Sequence, residues 1–274
     1  MATEAEVELV VVRHGETEAN RSHTIQGHRD TALSGLGVRQ AECAAKYLGE
    51  NLRLMTFRMS HESQSVWSYQ NEHFINNLEF SLFTAETNFS LAVSSDLIRA
   101  LKTGQVIAEA NPSLSADSIE TWPVLRERCF GEFEGQEASK MTDILKSLNK
   151  SQLLEWGPSG GETGQQFRDR VRTFLRDFGE RMVRDKSEKR PVRVLVTSHG
   201  GFIKELNMVM VADFKCEMPC ERGEYGRISP NTGVTKFSLC LDGAGTITSA
   251  KCSLLYYKDH LEGLEYHEPL NYGL

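Results

Sequence analysis

Two short runs of β-branched residues, 6–12 (EVELVVV) and 192–197 (VRVLVT), constrain this chain more than any other feature. Both become continuously apolar instead of alternating, and a strand is apolar on both sides only where both faces of its sheet are covered. Each then gives way to a triplet centred on histidine, Arg13-His14-Gly15 in the first case and Ser198-His199-Gly200 in the second. Covered α/β sheets bind ligands beyond the carboxyl ends of their strands. The two runs therefore predict a site at one edge of a sheet, with a histidine at the end of each of two strands.

The remaining segments supply the helices that such a sheet needs. Ser34 is a candidate N-cap, followed by Ala41, Ala44, Ala45 and Leu48 on one helical face. A strand over 89–93 leads into Ser94-Ser95-Asp96 as a cap and a helix with the stripe Leu97, Leu101 and Val106, stopped by Asn111-Pro112. Phe167, Val171, Phe174, Leu175, Phe178 and Met182 mark a long amphipathic helix after the turn Gly160-Gly161-Glu162-Thr163. A helix over 202–211 and strands over 235–241 and 246–257 complete the pattern. This alternation predicts an α/β fold, a mostly parallel central sheet with helices on both faces, in a single domain spanning residues 1–274. Residues 54–88 break the alternation, with neither helical nor strand periodicity over a length unusual for a connection within a domain. They are expected to form a surface excursion; the alternative is a satellite cluster or lid built on Trp67, Tyr69, Phe74 and Phe80.

Charge narrows the classes of partner. Against 31 Lys and Arg stand 38 Asp and Glu, a formal net charge of -7, which argues against general affinity for nucleic acid or anionic membrane. An anionic ligand must then be held by a local cationic pocket. The N-terminus has no basic n-region before its apolar run, and no stretch approaches the roughly 18 apolar residues of a membrane span. A cytoplasmic chain is expected, in which the sequons at Asn88 and Asn149 go unused. Its six cysteines form no CxxC pair and are expected to be reduced thiols; Cys216 and Cys220 could lie one helical turn apart but lack matching ligands for zinc.

A histidine at a buried strand end, after an arginine and before a glycine that lets the backbone turn closely, is the setting of a positioned nucleophile. Imidazole titrates near ~6.5, so much of it is neutral at physiological pH, and a neighbouring guanidinium matches phosphate oxygens two at a time. A triplet alone is weak, but here it extends to RHGETEAN over 13–20.

With that string, and with Gln26-Gly27, Leu33-Ser34, Ser94-Ser95-Asp96-Leu97, Arg99-Ala100, Thr103, Leu125-Arg126-Glu127, Gly160-Gly161-Glu162-Thr163 and Ser198-His199-Gly200 in order, the chain resembles the histidine phosphatase superfamily of phosphoglycerate mutase-like fold. Within it, the segments 94–103, 125–136 and 198–206 and the tail 229–261 are most similar to the fructose-2,6-bisphosphatase branch. The resemblance implies that His14 accepts the phosphoryl group as a phosphohistidine. Arg13, Arg99, His199 and Asn20 would surround its oxygens, and Glu127 would protonate the leaving alcohol and then deprotonate water. Gln26, Gly27 and Gly200 would contact substrate. It implies no metal and no cofactor, since two arginines and a protonated His199 would carry the compensating charge. The implied ligand is a small phosphorylated metabolite, fructose-2,6-bisphosphate or, alternatively, a phosphorylated acid such as 2,3-bisphosphoglycerate; a non-catalytic interaction protein on the same fold is the reading from another class. No protein partner is legible.

Plainer roles compete for each residue. His14 could cap its strand and His199 could bond a carbonyl; Arg99 could pair with Asp96, and Glu127 with Arg126 or Arg128. Ser198 is expected to orient its neighbours and the 160–163 turn to start the long helix. The mutases of the superfamily carry paired arginines after the acid, whereas residues 137–156 contain three lysines and no arginine pair, which favours hydrolysis over transfer.

Overall fold

In the computed structural model, which describes residues 5–59, 88–184 and 192–265, strand β1 (Ala5–Arg13) is buried at every position from Leu9 onward. Alternate residues of that run face different cores. Leu9 and Val11 pack with Val194, Val196, Phe174 and Phe202 on one side of the sheet, while Val10 and Val12 pack with Ala44, Leu48, Ile107 and Leu195 on the other. Double coverage is thus the physical reason for the unbroken apolar run. Full burial of each Val or Leu contributes about 1.5–3 kcal/mol.

Strand β4 (Val192–Ser198) is buried throughout and pairs in parallel with β1, with Val7 opposite Val192 and Arg13 opposite Ser198. The remaining strands are β2 (Leu91–Ser94), β3 (Glu120–Thr121), β5 (Val234–Leu241) and β6 (Ile247–Tyr257), in the order β3-β2-β4-β1-β5-β6. The first four in that order are parallel; β5 runs antiparallel to β1 and β6 antiparallel to β5. Because β1 and β4 share direction and register, His14 and His199 leave the sheet at one level, and the His14 amide donates to the Ser198 carbonyl at 2.9 Å.

The helices are α1 (Glu18–Arg21), α2 (Gly35–Met59), α3 (Ile98–Glu109), α4 (Ala138–Lys146), α5 (Lys150–Glu155), α6 (Gly164–Arg184), α7 (Gly200–Phe214) and α8 (Arg222–Tyr225). α6 and α7 cover one face of the sheet, α2 and α3 the other. Ser34 caps α2 as expected, its hydroxyl accepting from the Gly37 amide at 3.0 Å. α2 runs on to Met59, into the stretch expected to start the excursion, over a sequence free of Gly and Pro beyond Gly49. The rest of that segment, with Trp67, Tyr69, Phe74 and Phe80, lies outside the described residues.

α3 corrects two expectations. Its buried face is Arg99, Ala100, Thr103, Gly104, Ile107 and Ala108, not the stripe Leu97, Leu101 and Val106, of which only Leu97 is buried. The helix lies so close to the sheet that a Cβ on Gly104 would stand 2.8 Å from the Thr197 hydroxyl, so small side chains face inward. Nor does Asp96 cap it: the Ile98 amide donates to the Asp30 carboxylate at 2.7 Å, and Asp96 takes the Arg126 Nε at 2.7 Å.

A smaller cluster of Ile25, Phe130, Ala138, Met141 and Leu145, with Leu153 and Trp156 against it, joins α4 and α5 to the loop after α1.

Candidate active site

Arg13 is the last residue of β1, and the loop between α8 and β5 closes around it. Its Nη1 donates to the Ser229 carbonyl at 2.6 Å, and the Asn231 side-chain amide donates to the His14 carbonyl at 3.0 Å. Gly15 follows because nothing larger fits: a Cβ there would lie 2.3 Å from the Gly37 carbonyl oxygen. Its amide is instead bound by the Thr103 hydroxyl at 3.0 Å.

The His14 ring sits with Nδ1 2.7 Å from the Gly15 carbonyl oxygen. A carbonyl only accepts, so Nδ1 carries the proton and Nε2 keeps its lone pair. Burial, and then the Arg99 and Arg13 charges, hold this imidazole well below its ordinary pKa of 6.5, which keeps it neutral and nucleophilic.

His199 faces it with ring centroids 5.2 Å apart. Its Nε2 lies 2.8 Å from the Ser95 hydroxyl, while Nδ1 is buried without a hydrogen-bond partner. Burial, followed by Arg99, His14 and Arg13, lowers its pKa well below 6.5 too. Burial first, and the guanidiniums after it, thus disfavour in the ligand-free pocket the protonated form of His199 that the resemblance implies.

Arg99 projects from the first turn of α3 and is 1% exposed. It does not pair with Asp96; its Nη1 and Nη2 donate to the Arg29 and Gly27 carbonyls, both at 2.8 Å, and its Nε is buried without a hydrogen-bond partner. Burial lowers its pKa to about 10, so it stays cationic at neutral pH.

Glu127 also escapes its expected surface pairings. Arg126 is held by Asp96, and Arg128 by the Trp156 and Glu162 carbonyls at 2.9 and 3.0 Å. The Glu127 carboxylate accepts from the Gly201 amide at 2.9 Å and from the Arg128 amide at 2.9 Å, at the positive N-terminal end of α7. What holds it there was not read from the sequence. Arg170 donates to the carbonyls of Val124, Arg126 and Glu127 at 2.9, 2.6 and 2.9 Å, and Glu162 grips Arg170 at 2.8 and 2.6 Å. Nothing in the sequence separates it from Arg168, the other arginine between Phe167 and Val171, which pairs with Glu205 instead. The 160–163 turn does start that helix, with the Thr163 hydroxyl accepting from the Gln166 amide at 3.1 Å. Ser198 orients a neighbour as expected, donating to the Leu125 carbonyl at 2.8 Å.

Arg13, His14, Arg99 and Glu127 line one cavity of about 740 Å³. Asn20, Gln26, Gly27 and Gly200 line it as well. Asn20 accepts from the Thr17 amide at 3.1 Å, and Gln26 accepts from the Thr17 and Thr31 hydroxyls, so both buttress the wall they form. Gly27 turns at φ +52° to offer its carbonyl to Arg99, and a Cβ on Gly200 would come 3.1 Å from Arg13 Nε. Two buried guanidiniums, the neutral His14 imidazole and a helix N-terminus make this an anion pocket, while His199 packs against His14 without lining the cavity. Cys216 and Cys220 are free thiols, and among the described residues no group of three or more His, Cys, Asp or Glu is placed to hold a metal ion. No helix among them is long and apolar enough to cross a membrane.

Known proteins resemble this chain in sequence and in fold. The chain is 28% identical over 283 residues to fructose-2,6-bisphosphatase TIGAR B of Danio rerio, covering 93% of this chain and 96% of that one. It is 32% identical over 203 residues to phosphoglycerate mutase-like protein 4 of Arabidopsis thaliana, covering 73% and 69% of the two chains. Its fold matches the crystal structure of phosphoglycerate mutase from Bacillus anthracis with a TM-score of 0.62 at 20% identity, over 94% of this chain and 96% of that one. Residues 9–57 and 79–247 match the model of the histidine phosphatase superfamily (branch 1), which contains both histidine-bearing strand ends, and the chain belongs to that superfamily.

Proposed function

We propose that the chain is a metal-independent phosphatase of the cytosol that acts through a phosphohistidine on His14 and hydrolyses fructose-2,6-bisphosphate. The observation that carries the mechanism is the bond from His14 Nδ1 to the Gly15 carbonyl, which leaves Nε2 as a lone-pair donor beside two buried arginines. Nε2 attacks phosphorus and the bond to the leaving alcohol oxygen breaks. Protonated Glu127 delivers its proton to that oxygen. The Glu127 carboxylate then takes a proton from water, whose oxygen attacks phosphorus; the P–N bond breaks and phosphate leaves. Phosphoryl transfer needs in-line positioning and stabilisation of spread negative charge, which Arg13, Arg99 and His199 supply without a metal ion.

The substrate assignment is supported by the extent of similarity to fructose-2,6-bisphosphatases, which covers nearly the whole chain, and by a cavity too large for inorganic phosphate alone. The test is a screen of purified protein against fructose-2,6-bisphosphate, 2,3-bisphosphoglycerate, phosphoglycerates and an aryl phosphate, with chelator throughout. The expected result is the highest kcat/KM for fructose-2,6-bisphosphate, unchanged by chelation. Preference for a phosphorylated acid would overturn the substrate, recovery only with Mg²⁺ or Zn²⁺ the mechanism, and no turnover of any ester the enzymatic reading.

A further inference from the structure

We propose that His28 is a positioning residue for the proton donor, orienting the Glu127 carboxyl by holding the peptide group that follows it. This rests on the acid role given to Glu127 above. His28 Nε2 lies 2.8 Å from the Glu127 carbonyl oxygen. A carbonyl only accepts, so Nε2 carries a proton and donates it. The same oxygen takes Arg170 Nη2 at 2.9 Å, so its two lone pairs are met by one donor from α6 and one from the loop after α1.

This bond matters because of the other edge of the same peptide group. The Glu127 carbonyl and the Arg128 amide belong to one planar unit, in which oxygen and hydrogen point in opposite directions. That amide donates to one oxygen of the Glu127 carboxylate at 2.9 Å, and the Gly201 amide donates to the other at 2.9 Å. Rotation of the peptide plane would therefore swing the Arg128 N–H away from the carboxylate it holds. With donors fixed on the carbonyl the plane resists turning, and the carboxyl stays on the wall of the cavity that Glu127 lines. His28 does not line that cavity, so it acts on the reaction through Glu127.

His28 is itself fastened in place, although only half-buried. Its amide donates to the Glu134 carboxylate at 2.8 Å, and the same Glu134 oxygen accepts from the Phe130 amide at 3.0 Å. On either side of it the Gly27 and Arg29 carbonyls accept from Arg99, both at 2.8 Å, and the Asp30 carboxylate accepts from the Ile98 amide at the start of α3. Gly27 follows this path at φ +52°, where a Cβ would strike the Glu134 carboxylate. Residues 27–30 thus grip the arginine of the phosphoryl pocket through their backbone and the proton donor through the His28 ring. One short loop sets the spacing between the two groups, and a proton donor must come within about 2.6–3.2 Å of the oxygen it serves.

The test uses leaving groups that need the proton to different degrees. kcat/KM, which reports the steps up to departure of the alcohol, is measured for fructose-2,6-bisphosphate and 2,3-bisphosphoglycerate, whose alkoxides need protonation, and for nitrophenyl phosphate, whose phenolate leaves without it. Glu127→Gln is the reference, expected to lose far more on the alkyl esters than on the aryl ester. His28→Asn, whose amide nitrogen falls short of the Glu127 carbonyl, should show the same pattern in weaker form. The expected loss on the alkyl esters is about tenfold, as for one such bond, with little change on nitrophenyl phosphate. His28→Gln, whose amide nitrogen overlays the imidazole Nε2, should restore the alkyl esters. Nitrogen NMR of the wild-type ring, which needs no variant, should find a proton on Nε2. Alkyl and aryl esters falling together in His28→Asn, no loss on either, or an unprotonated Nε2 would overturn the positioning role. A Glu127→Gln enzyme without leaving-group dependence, or a wild type that cleaves no alkyl ester, would overturn the acid reading and the inference with it.

Discussion

The end of β1 and the end of β4 are close copies in sequence and in place. Each sets a histidine before a glycine, at adjacent positions of a parallel pair, and both rings are buried. They differ in which ring nitrogen is held and by what. His14 is held through Nδ1 by a carbonyl, which can only accept; His199 is held through Nε2 by the Ser95 hydroxyl, which can donate or accept. One ring is thereby locked in a single tautomer with an outward lone pair, while the other can change its protonation without losing its partner. The backbone differs too: after His14 it is pressed against Gly37, whereas His199 is the N-cap of α7. A shared motif at two strand ends thus builds a fixed attacking group and an adaptable neighbour.

The largest expected effect of breaking this division comes from His14→Ala, which removes the attacking atom: turnover should fall roughly 10⁴-fold or more, with no acid-labile phosphate trapped on rapid quench. His199→Ala should cost less, about 10²–10³-fold in kcat, the scale for losing one donor to a charged transition state, and phosphohistidine should still be trapped on His14. Equal losses in the two variants, with trapped phosphate in neither, would erase the distinction.

Both strand ends were legible because double burial writes itself into sequence as an unbroken apolar run, and because the residues that follow such a run face the ligand side of the sheet. The inner face of α3 was not legible. A reading by periodicity favours large apolar residues, whereas close approach to β4 selects Ala100, Thr103 and Gly104. Arg170 escaped for a different reason: its three carbonyl partners lie 43 to 46 residues away, so its role in placing Glu127 exists only in the folded chain. The environment of His199 was not legible, because sequence conveys neither the depth of burial nor the crowding of guanidiniums that lower its pKa.

Ser95→Ala sharpens the comparison at the hydroxyl itself. It leaves both histidines in place but removes the group that lets His199 shift between donor and acceptor, and it also frees the Leu97 amide that Ser95 accepts at 3.3 Å. Loss of one such bond is worth about 1–1.5 kcal/mol, so kcat should fall about tenfold. Ser95→Thr, which retains a hydroxyl, should recover most of it. A Ser95→Ala enzyme as active as the wild type would show that the hydroxyl does not set the behaviour of His199.

The response to acid separates the two rings least, because there they should behave alike. Both have pKa values lowered below 6.5 by burial and neighbouring arginines, and His260, half-buried against Tyr47 and Tyr257, is lowered to about 4. Below about pH 6.5 the unfolded chain protonates these imidazoles while the folded chain keeps them neutral, so the unfolded state binds more protons. Stability should therefore fall as the pH drops from about 6.5 towards 4, with each fully buried ring contributing up to about 1.4 kcal/mol per pH unit. Melting temperatures across that range check the direction, and His260→Phe, which keeps an aromatic ring beside the two tyrosines but cannot titrate, should show a shallower decline than the wild type. Activity should move in the same sense: because neutral His14 persists below 6.5, the acid limb of kcat/KM for an aryl phosphate should lie below the ordinary imidazole value. An acid limb at or above 6.5, or a melting temperature that rises on acidification, would mean that the pocket does not hold these rings neutral. The contrast between the locked and the adaptable ring would then have to arise from charge and not from hydrogen bonding.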